Sequence, residues 1–72
     1  MKNSNKTNSG NKFDVIFNDD NDSNSKGFNT NYEMCKLYID TRTGGSYFED
    51  YKGGTVSIVN VDTDEVVYQE NI

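Results

Sequence analysis

Two runs of strand-forming residues, Thr55 to Val61 and Glu65 to Ile72, are separated by only Asp62-Thr63-Asp64. Runs this close leave room for a tight turn and little else, so the C-terminal end is predicted to be an antiparallel hairpin. Asp64 stands where a glycine would be easiest, and in the left-handed region an Asp tolerates the strain better than most residues. A further strand is expected where Phe13, Val15 and Phe17 alternate with Asp14, Ile16 and Asn18, a period of two with an aromatic inner face.

Between these strands the sequence changes character twice. Asn18 to Asn29 is rich in Asn, Asp and Ser, whose side chains satisfy local turns better than a ladder, and reads as a loop. Thr30-Asn31-Tyr32-Glu33 then has the spacing of a capping box, so a helix is expected to begin at Thr30. Met34, Leu37 and Tyr38 form its apolar stripe, widened by Cys35 and Ile39, while Glu33, Lys36 and Asp40 face water. Gly44-Gly45 supplies its stop, after Arg42 at the negative end of the helix dipole. The order β-α-β-β implies an α+β domain: a three-stranded, mostly antiparallel sheet with one helix packed on a face.

The chain has 72 residues and no Pro or Trp, which allows one small domain. A core of that size rarely supplies more than roughly 3–5 kcal/mol. Residues 1–12 carry no apolar side chain after Met1 and are expected to form a disordered Asn/Ser/Lys tail, leaving residues 13–72 as the domain. No apolar run suits a secretory signal or a membrane span, and Cys35 is the single cysteine, so a cytoplasmic, reducing location is expected and a membrane is not. Asn5-Lys6-Thr7 and Asn21-Asp22-Ser23 match the glycosylation pattern but, without an export signal, read as by-products of an Asn-rich composition.

Charges of residues 1–30 cancel, so the whole net charge of −5 falls on residues 31–72. An acidic domain repels phosphate backbones and is steered toward basic surfaces, which disfavours direct nucleic-acid binding.

The chemical motifs are thin. Asp22, Asn24, Gly27 and Glu33 fall at positions 1, 3, 6 and 12 of a calcium loop, but Lys26 takes the place of the oxygen ligand at position 5 and a strand precedes the loop. Cys35 has no His to activate it, because the chain contains none, and its place on the apolar side of a helix predicts a raised pKa and an inert thiol. Gly44-Gly45 and Gly53-Gly54 lack the strand, turn, helix and Lys of a phosphate cradle and read as backbone joints. No catalytic residue, metal ligand or cofactor site is read from the sequence.

What remains is Tyr47-Phe48-Glu49-Asp50-Tyr51-Lys52, an aromatic and acidic segment running through Gly53-Gly54 into the hairpin. One reading has the aromatics covering the open edge of a small core. The other makes Tyr47, Phe48 and Tyr51 interface anchors, with Glu49, Asp50, Asp62, Asp64 and Glu65 pairing with Arg or Lys of a partner.

From Asn31 onward, and above all in Tyr47 to Val59 followed by Glu65-Val66-Val67-Tyr68, the chain resembles small acidic proteins of bacterial phages and mobile elements. That resemblance implies a class, the anti-CRISPR and antirestriction inhibitors among them, that occludes a host nuclease or its nucleic-acid channel. The function expected is a non-enzymatic inhibitor or regulator that binds a basic surface on a larger host protein. The alternative is a structural module that homo-oligomerises through a free sheet edge.

Overall fold

The computed structural model describes residues 12–72. The expected tail, residues 1–12, thus lies outside the described residues except for Lys12, whose carbonyl accepts from the Val61 N–H at 2.9 Å. Four strands are described: β1 (Phe13–Asn18), β2 (Ser23–Ser25), β3 (Thr55–Asn60) and β4 (Val66–Asn71). They form one antiparallel sheet in the order β2-β1-β3-β4. Two helices, α1 (Tyr32–Arg42) and α2 (Ser46–Asp50), lie between β2 and β3 in the chain.

The α+β class and the strands around the hairpin are as the sequence predicts, and the strand count is not. The fourth strand is Ser23-Asn24-Ser25, inside the stretch expected to be a loop. Ser and Asn have weak strand propensity, and this strand is held by its ladder to β1, with Ile16 opposite Ser25 and Phe17 opposite Asn24. The turn before it is closed by Asp19, whose carboxylate accepts from the N–H groups of Asn21 (2.9 Å) and Asp22 (2.8 Å).

Alternation along the strands separates two faces. Val15, Phe17, Val56 and Ile58 point to the helices and are fully buried together with Cys35 and Ile39. Asp14, Ile16, Ser57 and Val59 take the other face, where Asp14 lies opposite Val59 and Ile16 opposite Ser57. The Asp14 carboxylate is buried and is occupied by backbone donors, the N–H groups of Val15 (2.8 Å), Gly27 (2.9 Å) and Phe28 (2.9 Å). It thereby fixes the loop that leads into α1.

Helix α1 begins one residue later than the capping box implies. Thr30 is held by backbone bonds to Phe13, and Asn31 is the N-cap, its side-chain oxygen accepting from the Met34 N–H at 2.8 Å. Its core face also differs from the expected stripe: Cys35 and Ile39 are buried, whereas Met34 and Leu37 are 51% and 54% exposed. At about 100° per residue, the apolar positions 34, 35, 37, 38 and 39 span about 200° of the helix surface, more than one sheet can cover. The helix stops at Arg42, and Gly44 follows in the left-handed region at φ 87°.

At the far end of the sheet, the hairpin turn closes as the sequence suggests. Asn60 accepts at its side chain from the N–H groups of Asp62 (2.8 Å) and Thr63 (3.1 Å), and Asp64 sits at φ 63°.

Candidate protein-binding surfaces

The aromatic segment forms the short helix α2 and the turn after it, and of its two readings the core-covering one holds, because the aromatics face inward. Phe48 and Tyr51 are each 6% exposed, and Tyr47 is half-buried. Their ring centres lie 5.2–5.6 Å from that of Phe17, stacked for Tyr47, edge-on for Phe48 and tilted for Tyr51. The role of Phe48 and Tyr51 as exposed anchors is therefore corrected: a chain with so few apolar residues uses its aromatics to close the core. Tyr47 retains an accessible side, over which the Lys26 ammonium sits 3.5 Å from the ring centre.

The Tyr51 hydroxyl donates to the Asp22 carboxylate at 2.5 Å, tying α2 to the β1–β2 turn. This bond exists only while the phenol keeps its proton. First the hydrogen bond to Asp22, then burial and the Asp22 charge push the Tyr51 pKa from 10.0 to about 12.

Glu49, Asp50, Asp62, Asp64 and Glu65 are exposed, as a binding role requires, but they do not share one place. Glu49 and Asp50 belong to α2, next to Gly53 and Gly54, which bond to Ile72 where β3 begins and β4 ends. Asp62, Asp64 and Glu65 occupy the turn at the other end of β3, about 20 Å away at the usual rise of a six-residue strand. In exchange, the fold brings Asp19, Asp20 and Asp22 to the α2 end. The sequence hides this grouping, because their charges cancel formally against lysines, three of which lie in residues 1–12. Among the described residues, one ion pair is formed, between Lys36 and Asp40 at 2.9 Å, so none of these carboxylates has a Lys or Arg partner within 4.0 Å.

A second surface was not anticipated. Phe28, Met34, Leu37 and Tyr38 line a groove of about 370 Å³ beside α1, with Thr30, Thr41 and Arg42 at its border. The Phe28 and Tyr38 rings meet edge-on with centres 4.8 Å apart, and the Arg42 guanidinium lies 4.5 Å from the Tyr38 ring centre. The groove continues past Arg42 into a smaller hollow lined by Tyr38, Gly45, Ser46 and Tyr47. The width of the apolar arc on α1 was the sequence signal for this surface.

The calcium-loop residues are used otherwise. Asp22 accepts from Tyr51, Asn24 lies in β2, and Gly27 donates to Asp14. Among the described residues, no three His, Cys, Asp or Glu side chains cluster in a way that would hold a metal ion, and no helix is long and apolar enough to cross a membrane.

Cys35 is fully buried against the sheet. Burial first, and the Asp14 charge second, push its thiol from 9.0 up to about 11. Cys35 and Tyr51 both have raised folded pKa values, so the stability they contribute is complete below the ordinary values and is lost as pH climbs through the raised ones. The urea midpoint is expected to hold steady up to about pH 9 and then fall between pH 9 and 12, with Tyr51→Phe flattening the upper part of that fall. A midpoint unchanged across this window would contradict the burial of both groups. In the same samples, native Cys35 should resist iodoacetamide until the protein unfolds.

No protein-family model, curated protein or solved structure matches this chain.

Proposed function

We propose that the chain is a non-enzymatic inhibitor or regulator that binds a basic surface on a larger protein through the acidic end of its sheet. The observation that supports this reading is the Tyr51–Asp22 hydrogen bond, which gathers the carboxylates of the β1–β2 turn, Asp19, Asp20 and Asp22, at the same end as Glu49 and Asp50 of α2. Five carboxylates, Asp19, Asp20, Asp22, Glu49 and Asp50, outnumber the cations of this end, Lys52 in sequence and Lys26 over Tyr47, so it presents a net negative field without needing apolar anchors. In its sharper form the partner is a host nuclease in the cytoplasm, and the carboxylates occupy the basic channel that normally takes nucleic acid.

The test is capture from a lysate of the host cell by tagged full-length chain, washed at low and then at high salt. A basic protein held at low salt is expected to be released by high salt, because exposed charge pairs are screened. The double variant Glu49→Lys/Asp50→Lys, altered at exposed positions, is expected to fold normally and to lose at least tenfold of the capture. A partner held equally by wild type and variant at both salt concentrations would sink the acidic reading. A second reading, assembly of identical copies, is favoured by the exposed Val61, Val66 and Val67 near the turn of the hairpin.

A further inference from the structure

The groove beside α1 and the tip of the hairpin are complementary to each other in both polarity and charge. Phe28, Met34 and Leu37 in the groove are 36%, 51% and 54% exposed. Arg42 borders the groove over the Tyr38 ring, Lys26 lies over Tyr47 in the adjoining hollow, and among the described residues neither has a carboxylate within 4.0 Å. In an acidic protein this surface sets exposed apolar side chains beside unopposed positive charge. The tip has the opposite pattern. Val61, Val66 and Val67 are 45%, 51% and 41% exposed, and the residues between Val61 and Val66 include Asp62, Asp64 and Glu65.

The two surfaces cannot meet within one molecule. Val61 and Asp64 line a shallow depression with Asp14, Ile16 and Val59, on the sheet face turned away from the helices. The groove is built on α1, on the other face. The tip is also pre-shaped, since Asn60 holds the turn through its side chain and its carbonyl accepts from the Asp64 N–H at 2.7 Å. A turn already fixed in this way costs little ordering entropy on docking.

We infer that the α1 groove binds the hairpin tip of a second copy of this chain, with Val61, Val66 and Val67 against Phe28, Met34 and Leu37 and the tip carboxylates facing Arg42 and Lys26. Such a contact is heterologous, so it leaves a free groove at one end and a free tip at the other and extends by addition of further copies. It gives the assembly reading a defined contact. It leaves Glu49 and Asp50 free, so loss of assembly and loss of the acidic recognition proposed above can be distinguished.

The test is the molar mass of the full chain measured by light scattering over a rising concentration series. The weight-average mass of the wild type is expected to rise above twice that of one chain, and to fall back as salt is added. Leu37→Asp blocks the groove and Val66→Asp blocks the tip, both at exposed positions where circular dichroism should show an unchanged fold. Each variant alone is expected to stay monomeric. Mixed in equal amounts they should form a one-to-one dimer and nothing larger, because each supplies the surface the other lacks. A wild type that remains monomeric up to millimolar concentration overturns the inference. So does assembly of both single variants at wild-type strength, which would point to pairing along the β4 edge instead. A mixture that stays monomeric while the wild type assembles overturns it as well.

Discussion

Gly54→Ala is expected to unfold most of the protein. A Cβ at Gly54 would lie 2.0 Å from the carbonyl oxygen of Asn18 and 2.9 Å from the Cβ of Asp19. The atom it strikes first belongs to the backbone of β1 and cannot swing aside. Gly54 itself is fixed, since its N–H donates to the Tyr51 carbonyl at 2.8 Å and its carbonyl accepts from Ile72 at 2.9 Å. Relief therefore requires β1 and β3 to part where Asn18 pairs with Thr55, at the junction that also holds α2 and the end of β4. We expect a loss of more than about 3 kcal/mol, comparable with the roughly 3–5 kcal/mol available to a core of this size. The neighbouring glycine supplies the control. Gly53 lies at φ 91°, and a methyl group there would have nothing within 4 Å, so Gly53→Ala meets only the left-handed backbone penalty of about 1–2 kcal/mol. Urea unfolding followed by circular dichroism compares the two; similar midpoints for Gly54→Ala and wild type would mean that β1 and the α2 turn are not packed as described.

The pair of variants also shows what kind of information the sequence held. The double glycine was legible as a joint, but its two residues have different reasons, one conformational and one steric, and the steric reason depends on a strand 36 positions earlier in the chain. The same limit explains the other departures. The hairpin, the left-handed Asp64 and the β1 alternation rest on neighbours in sequence and were readable. Strand β2 has no propensity signal of its own and exists because β1 offers an edge. On α1 the apolar residues were visible, but which side of their arc meets the sheet is set by packing, and the choice of Cys35 and Ile39 over Met34 and Leu37 turned an expected core stripe into a surface groove. Likewise, no local rule tells a buried Phe48 from a displayed one. For the acidic residues, the count was available from the sequence, whereas their division between two ends of β3 and the recruitment of Asp19, Asp20 and Asp22 to one of them are consequences of topology.

Phe17→Ala carries the second large effect, and it separates folding from recognition. Phe17 is fully buried at the centre of the aromatic group, with Tyr47, Phe48 and Tyr51 arranged around one ring. Truncation removes the ring and leaves a cavity that the three neighbours, all on α2 and its turn, cannot fill without moving off the sheet. A loss of about 3–5 kcal/mol is expected, while Phe17→Leu, which keeps most of the apolar volume, should cost only about 1–2 kcal/mol. Because Tyr51 is the link to Asp22, loosening the aromatic group also frees the β1–β2 turn from α2. Partner capture is then expected to fail for Phe17→Ala together with the fold, whereas Glu49→Lys/Asp50→Lys should lose capture with the unfolding midpoint intact. Measuring both quantities on both variants decides the role of the aromatic segment. Full capture by a Phe17→Ala chain shown by circular dichroism to be unfolded would mean that recognition needs neither the clasp around Phe17 nor the grouping of carboxylates that the clasp maintains.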